Sequence, residues 1–376
     1  MIIAVNTSYV TRDVINGIDD FIAECFSKLA QLHPEHQFIY FCDKAIDEKY
    51  ITSKNITAVA VGPQPKTTLW LWYRLNYKIP RLLRKHKAAV FVSTGYCSLR
   101  TAIPQCVLVN DLSFLLQPHL FSKRWLGFYK KNTVAFLHKA KTIITTSFFL
   151  KTVMVQQLKI DGARISVAHA GANKHFKPTV SWQQKDNTKQ RYTFGKEYFL
   201  YSGDINAQKN LTALLKAFSF FKKRQQSNMQ LVLASKNIAA DVTLIKSLAS
   251  YKYRDQVIVF EELPVEILAQ LTATAYALVN PAGYDGAGAV LVEAMQSDTP
   301  VITSNTAAMP EICGEAAVYF AYGDITDMAE KMMLVFKDED LRNQHIIKGR
   351  QQAGIYSWDK TAAIIWNSIE KCTSVP

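Results

Sequence analysis

The chain has 376 residues, 49% hydrophobic and 20% charged, which is long enough for two globular domains, each with its own core. No run of 18 or more apolar residues occurs, so no membrane-spanning helix is expected, and residues 1–6 are interpreted as a strand rather than a signal peptide. The six cysteines include no Cys-x-x-Cys pair, which argues against a zinc site and favours the cytoplasm, a reducing compartment.

The formal net charge of +13 comes from the first half of the chain. Residues 1–178 hold 24 Lys and Arg against 10 Asp and Glu, whereas residues 179–376 hold 20 against 21. A basic half predicts an anionic partner, such as a phosphorylated substrate or a membrane surface, and a generic solubilising surface is the simpler alternative. No recognised nucleic-acid motif accompanies the charge, so nucleic acid is not expected as a partner.

In the first half, short apolar runs alternate with amphipathic stretches. Strands are predicted at 2–5, 37–42, 57–61, 88–92, 105–109 and 142–146. Helices are predicted at 17–32, 69–87 and 128–139, with Pro80 as a break within the second of them. Strands that alternate with helices indicate a parallel sheet with helices on both faces.

A polar stretch at 183–191 has no apolar period and is interpreted as a linker. After it, strands are predicted at 198–202, 230–234, 256–260, 277–280, 300–303 and 317–320. Helices are predicted at 211–224, 265–275, 325–336, 338–355 and 359–371. The chain is therefore predicted to be an α/β protein with two Rossmann-like domains, 1–178 and 179–376, which face a central cleft that binds the ligand.

The most informative stretch covers residues 284–295, where Asp285 and Glu293 stand eight residues apart around a turn that contains Gly286 and Gly288 and begins an apolar helix. A helix N-terminus carries partial positive charge and unpaired N–H donors, so it attracts phosphate. Carboxylates beside it suit the hydroxyls of a sugar or a ribose. A helix cap by Asp285 and a solvated Glu293 are the simpler alternative.

Three further features follow predicted strands. Gly203 ends one strand, and Lys209 comes just before the next helix, where a lysine can reach a diphosphate, although an exposed lysine is the simpler interpretation. Asn110 and Asp111 follow another strand, either as cleft residues or as an Asn-Asp turn. Gly17 lies between the first strand and the first helix, where a glycine lets phosphate approach, although this signal is weak by itself.

Together these stretches resemble the family 4 glycosyltransferases, which have the GT-B fold, across nearly the whole chain. The sequence Pro281-Ala282-Gly283-Tyr284-Asp285-Gly286-Ala287-Gly288, followed by Glu293-Ala294-Met295 and Thr299-Pro300-Val301-Ile302, is similar to the C-terminal signature of that family. Within the family, the chain is most similar to the mannosyltransferase-like group that builds surface polysaccharides such as lipopolysaccharide.

The resemblance implies a role for each matching residue of the second half. Glu293 binds the nucleotide ribose, Asp285 binds hydroxyls of the transferred sugar, and Lys209 after Gly203 neutralises the diphosphate. The sugar or diphosphate is held by the backbone amides of four successive residues, Gly286, Ala287, Gly288 and Ala289. In the first half, Gly17 lets a loop approach the phosphates, and Asn110 and Asp111 face the sugar.

The resemblance also implies a retaining, metal-independent transfer without a cofactor, from a nucleotide sugar to an acceptor hydroxyl on an oligosaccharide or a lipid carrier. GDP-mannose is the favoured donor, and a UDP-sugar is the alternative. Three positions depart from the family pattern: Asp285 replaces glutamate, Asn110 replaces histidine, and Asp204 replaces arginine, with Gln208 before Lys209. A degenerate relative that binds a sugar nucleotide or scaffolds a polysaccharide-synthesis complex is therefore the alternative function.

Aromatic and basic residues are mixed in two segments of the first half, 70–85 and 121–131. Such segments suit the anionic surface of a membrane, so peripheral contact with the inner face of the membrane is expected. The alternative is that the aromatic rings belong to the core and only the cations are exposed. The last helix, at about 359–371, is expected to pack back on the N-terminal domain.

Overall fold

The computed structural model describes residues 1–7, 17–43, 51–63, 65–179, 181–203, 209–235 and 242–374. They form two compact α/β units: the first unit is Met1–Ala170 with Ser357–Pro376, and the second unit is Gly171–Tyr356. The chain passes from the first unit to the second after Ala170, which is eight residues before the boundary that the sequence predicted after residue 178. The prediction of two Rossmann-like α/β domains is confirmed by the strand order of each unit.

The first unit is built on a parallel sheet. Its strands are β1 (Ile2–Asn6), β2 (Gln37–Cys42), β3 (Ile56–Ala60), β4 (Val90–Thr94), β5 (Gln105–Val109), β6 (Thr142–Thr145) and β7 (Ile165–Val167). Its helices before residue 170 are α1 (Gly17–Leu32), α2 (Thr68–Tyr73), α3 (Ile79–Lys85), α4 (Ser113–Leu116), α5 (Lys123–Lys139) and α6 (Phe148–Leu158). The strands pair in the order β3-β2-β1-β4-β5-β6-β7, so the order in which strands are added to the sheet reverses between β1 and β4.

The second unit repeats this plan. Its strands are β8 (Tyr198–Ser202), β9 (Gln230–Ser235), β10 (Val257–Glu261), β11 (Ala277–Asn280), β12 (Val301–Ser304) and β13 (Ala317–Phe320). Its helices are α7 (Trp182–Thr193), α8 (Leu211–Gln225), α9 (Val242–Ala249), α10 (Val265–Thr274), α11 (Ala289–Gln296), α12 (Met309–Cys313), α13 (Ile325–Lys337) and α14 (Glu339–Ala353). The order β10-β9-β8-β11-β12-β13 reverses between β8 and β11, and doubly wound sheets bind ligands at such a reversal.

The core of the second unit explains why its central strands are continuous apolar runs. A parallel sheet covered on both faces buries both sides of each strand, and every residue of β8 and β9 is buried. Phe199 packs edge-on against Phe221, with ring centroids 5.1 Å apart. The buried hydroxyl of Tyr198 donates a hydrogen bond to the carbonyl of Leu271 at 2.7 Å, so the one polar group of this ring is satisfied.

The interpretation of residues 183–191 as a linker is wrong, because they lie within α7. Ser181 caps the helix by accepting a hydrogen bond from the amide of Gln184 at 3.2 Å, and Phe194 ends it in a left-handed conformation with φ of 54°. The ion pair between Lys189 and Glu197, at 2.5 Å, links the helix to the residues just before β8. Periodicity failed here because the helix buries only one of its residues, Thr193, and so carries no apolar stripe.

The break predicted at Pro80 is a change of helix type. Between α2 and α3 the chain forms a π-helical turn, Arg74–Lys78, and Pro80 is the second residue of α3. A proline ring in a helix interior clashes with the carbonyl four residues earlier, here that of Asn76, and a wider turn relieves this clash. The helical path from residue 68 to residue 85 is therefore continuous but locally unwound.

The last helix, α15 (Trp358–Thr373), belongs to the first unit. Thr142 of β6 donates a hydrogen bond to the carbonyl of Ser368 at 3.0 Å. The ring of Trp366 stacks on that of His33, with centroids 3.5 Å apart. Among the described helices, none is long and apolar enough to cross a bilayer.

Candidate active site

Two loops of the second unit follow β8 and β11, the neighbouring strands at which the sheet order reverses. Gly203 directly follows β8 with φ of 133°, a conformation that side chains rarely adopt, and residues 204–208 lie outside the described part of the chain. Lys209 comes next and immediately precedes Asn210, the cap of α8. Residues 281–288 follow β11 and lead into α11. The departures at Asp204 and Gln208 therefore stay outside the described residues.

The two loops meet through an ion pair between Lys209 and Asp285. The Nζ of Lys209 donates to Oδ2 of Asp285 at 2.9 Å, and the two side chains are 17% and 15% exposed. The other carboxylate oxygen, Oδ1, accepts hydrogen bonds from the amides of Ala287 at 3.0 Å and Gly288 at 2.9 Å. Asp285 therefore caps the turn that precedes α11 and holds the lysine at the same time.

These contacts decide the charge state of Asp285. Burial by itself raises the pKa of a carboxyl group, because it disfavours the charged form. The ammonium of Lys209 and the amides of Gly288 and Ala287 outweigh burial and hold the pKa of Asp285 below its usual value. At neutral pH the site thus contains a carboxylate and an ammonium in direct contact.

Residues at the end of β12 support the loop that carries Asp285. The hydroxyl of Ser304 donates to the carbonyl of Ala282 at 2.6 Å, and that of Thr306 donates to the carbonyl of Gly283 at 3.1 Å. These two supporting residues were missed in the sequence. The signal that identifies them is a pair of hydroxyl residues at the C-terminal end of the strand next to β11, where a parallel sheet brings loops together.

The helix α11 begins next to this network. Gly288 is its cap, with φ of 62°, and Ala289 and Val290 are its first two residues, whose amides have no partner within a helix. Of the four amides predicted to hold a ligand, those of Ala287 and Gly288 donate to Asp285 instead. Glu293 lies on the second turn of α11 and is half-buried.

Replacing Gly288 with alanine is expected to destabilise the protein by about 1–3 kcal/mol, because the left-handed backbone disfavours a side chain. A Cβ at this position would also lie 3.0 Å from Cγ1 of Ile312. Gly323→Ala is the matched control, since Gly323 also has a positive φ but its Cβ would meet open space. Urea denaturation should show a larger loss of unfolding free energy for Gly288→Ala than for Gly323→Ala. Equal losses would contradict the predicted clash of the new Cβ with Ile312.

The predicted site residues of the first unit have simpler surroundings. Asp111 is exposed, and its carboxylate accepts hydrogen bonds from the amide of Ser113 at 2.7 Å and from its hydroxyl at 3.0 Å, which is the turn that the sequence left as an alternative. Asn110 is half-buried at the end of β5, and Gly17 is the first residue of α1, whereas Asn16 lies outside the described residues. The contacts of Asn110, Asp111 and Gly17 with a sugar nucleotide therefore remain a prediction.

The sequence model described as "Glycosyl transferases group 1" matches residues 183–352. The chain is 23% identical to O-antigen chain mannosyltransferase B of Escherichia coli over 250 residues, and 26% identical to O-antigen chain mannosyltransferase RfbU of Salmonella typhimurium over 251 residues. Each match covers 66% of the chain and 66% of the relative, so the chain spans about two thirds of their length.

Among solved structures, sucrose-phosphate synthase of Thermosynechococcus elongatus superposes with a TM-score of 0.80, at 16% identity over 98% of each chain. The fold is accordingly that of the GT-B glycosyltransferases, as the sequence predicted. The region that matches the model of the group 1 glycosyl transferases contains the Lys209–Asp285 pair.

Proposed function

We propose that the chain transfers a hexose, with mannose favoured, from a nucleotide diphosphate sugar to an acceptor hydroxyl, with retention of anomeric configuration and without a metal ion. The acceptor we favour is an oligosaccharide or a lipid-linked glycan in the assembly of a surface polysaccharide such as lipopolysaccharide. One observation carries the proposal: the ion pair of Lys209 and Asp285 joins two loops where the sheet order reverses, next to the start of α11.

The chemical step requires positive charge beside the departing diphosphate. As the bond between the sugar and the phosphate breaks, negative charge grows on the phosphate oxygens, and fixed donors stabilise it. Lys209 and the first amides of α11, those of Ala289 and Val290, supply such donors, and the helix N-terminus adds partial positive charge. A diphosphate that enters the site competes with Asp285 for the ammonium of Lys209.

Asp285, Asn110 and Asp111 are the residues that we propose to meet the sugar, while Glu293 binds the ribose. The two bacterial relatives bear the name mannosyltransferase, which supports mannose as the sugar and GDP-mannose as the donor. A UDP-sugar is the alternative donor. All six cysteines are unpaired and buried, which supports the cytoplasm as the compartment.

A thermal-shift series with GDP, UDP, ADP and their sugars tests the donor. A ligand present at 100 times its dissociation constant adds about 2.7 kcal/mol of stability, which corresponds to a rise in Tm of about 5–10 °C for a domain of this size. We expect GDP-mannose to give the largest rise. A larger rise in Tm with a UDP-sugar would identify that sugar nucleotide as the donor in place of GDP-mannose, and the proposal of sugar transfer would stand.

Transfer itself is measured with purified protein, the selected donor and a mannose-containing oligosaccharide, with the anomeric configuration of the product read by NMR. We expect the α configuration of the donor to be kept and EDTA to leave the rate unchanged. Within the described residues, no three His, Cys, Asp or Glu side chains are grouped so as to hold a metal ion. A rate abolished by EDTA and restored by Mg²⁺ or Mn²⁺ would refute the metal-free mechanism.

The second candidate function is that of a degenerate relative that binds a sugar nucleotide or scaffolds a polysaccharide-synthesis complex. It is favoured by one observation: both carboxylate oxygens of Asp285 already have partners within the protein, and this side chain is shorter than the usual glutamate. A clear thermal shift with a donor, together with neither transfer nor donor hydrolysis, would establish this second function.

A further inference from the structure

The first unit contains one long continuous region of sequence with basic residues and no acidic ones. Residues 51–110 contain nine Lys and Arg and no Asp or Glu. This region runs from β3 through α2 and α3 to β5. Its exposed cations are Lys54, Lys66, Lys78, Arg81, Arg84, Lys85, Lys87 and Arg100. These cations attract anions, and no carboxylate within residues 51–110 repels them.

Helix α2 presents apolar side chains to solvent within this basic region. Leu69 is 70% exposed, Trp70 is 61% exposed and Tyr73 is 43% exposed, and α2 buries none of its residues. Single exposed apolar residues are ordinary on a protein surface, but three within five residues form a patch. This patch, Leu69 with Trp70 and Tyr73, is called the α2 patch below.

The opposite side of the same helical path is anchored in the protein. Arg74 forms a buried ion pair with Asp43, with Nη1 and Oδ1 2.5 Å apart. Leu75, Ile79 and Leu83 are between 0% and 3% exposed. These contacts fix the path from residue 68 to residue 85, so the α2 patch is held outward by a rigid support.

Aromatic rings and cations continue from the α2 patch along the surface. Tyr73 stacks on Tyr77 with ring centroids 5.5 Å apart, and the guanidinium carbon of Arg100 lies 4.6 Å from the centroid of the Tyr77 ring. Arg81 comes one helical turn after Tyr77 and is exposed, as are Arg84 and Lys85. Apolar, aromatic and cationic groups thus follow one another along one surface.

The second aromatic and basic segment, 121–131, is arranged differently. Its rings pack on one another: Trp125 stacks on Tyr129 with centroids 5.8 Å apart, and Phe121 meets Tyr129 edge-on at 6.1 Å. These three rings are only partly exposed. Of the two segments, therefore, only the first, at α2, has exposed aromatic side chains.

We propose that the α2 patch docks on an anionic lipid bilayer, with Leu69, Trp70 and Tyr73 entering the interface. The cations at Arg81, Arg84 and Lys85 then meet the lipid headgroups. Tryptophan and tyrosine favour the boundary between acyl chains and headgroups, and the exposed cations of residues 51–110 match the negative charge of that boundary. This docking goes beyond sugar transfer and requires no donor or acceptor.

The test is co-sedimentation of the purified full chain with vesicles, either of phosphatidylcholine alone or of phosphatidylcholine with 30% phosphatidylglycerol. We expect binding to the anionic vesicles only. Leu69→Ser with Trp70→Ser should weaken it by about tenfold or more. Arg81→Gln with Arg84→Gln and Lys85→Gln should weaken it by about 100-fold, at about fivefold for each cation.

Matched controls come from the second unit. Trp182 is 78% exposed on α7, so Trp182→Ser removes a ring that is more exposed than that of Trp70. Lys216→Gln with Lys223→Gln and Lys252→Gln removes three exposed cations. Both controls should bind like the wild type, and circular dichroism verifies that every variant is folded. The proposal is overturned if the wild type ignores anionic vesicles or if the controls lose as much binding as the α2 variants. It is also overturned if sedimentation analysis shows that the α2 patch joins two copies of the chain.

Discussion

Lys209→Met should lower kcat for sugar transfer by about 100–1,000-fold, the loss typical when one fixed donor to a developing oxyanion is removed. The lysine is held 2.9 Å from Asp285 and is 17% exposed, so its charge is both positioned and shielded from water. Because its proposed role is to stabilise charge that grows as the diphosphate leaves, kcat should fall more than KM rises. Steady-state rates with GDP-mannose and acceptor give the changes in kcat and in KM separately.

The matched control is Lys216→Met, which removes an exposed lysine of α8 seven residues further along the chain. This control should keep wild-type kcat and KM. If Lys209→Met retains at least half of the wild-type kcat while the control does the same, Lys209 has no part in the chemical step. A loss of folded protein is distinguished by its Tm, measured on the same samples.

The same pair links stability to pH. The folded pKa of Asp285 lies below that of the unfolded chain, so its carboxylate stabilises the protein at pH values above the unfolded pKa of about 4. This contribution is lost as the pH falls through the folded pKa. The difference in unfolding free energy between wild type and Asp285→Asn should therefore shrink between pH 6 and pH 3 in urea denaturation. A difference that stays constant over this range would contradict the ionised state of Asp285.

The fold could be predicted from the sequence because the central strands of each sheet are buried on both faces. Strand β11 and helix α1 begin and end where the apolar pattern begins and ends, at Ala277–Asn280 and Gly17–Leu32. Patterns of this kind report burial, so they failed for α7, which has one buried residue and is held by a cap and an ion pair. A strand of three residues, β7, and the helix α6 before it were also not predicted. The strand is too short to show a pattern, and α6 has apolar residues on all sides.

The candidate site residues were selected by their place after predicted strands, but their contacts depend on the fold. Lys209 and Asp285 are 76 positions apart, and only the parallel pairing of β8 with β11 brings their loops together. The sequence assigned one of them to phosphate and the other to sugar, whereas the structure joins them in one ion pair. Periodicity and spacing carry no information about such a pair, since its geometry belongs to two loops rather than to one element.

If Glu293 binds the ribose as proposed, its replacement separates donor binding from catalysis. Glu293 lies eight residues after Asp285, on the second turn of α11, and is half-buried. A carboxylate accepts hydrogen bonds from both hydroxyls of a ribose, and each bond to a charged group is worth about 1.5–3 kcal/mol. Removing it should weaken nucleotide and nucleotide sugar alike, since the ribose is distant from the bond that breaks.

Glu293→Ala is therefore expected to raise the donor KM by about 100-fold or more and to lower kcat less than Lys209→Met does. The rise in Tm that GDP produces should disappear at the same nucleotide concentration, which checks binding without reference to catalysis. Glu330→Gln, at an exposed position of α13, is the control for the loss of one carboxylate and should behave like the wild type. If Glu293→Ala keeps the wild-type Tm rise with GDP, the ribose is bound elsewhere, and the assignment of α11 as the nucleotide helix fails even if sugar transfer itself persists.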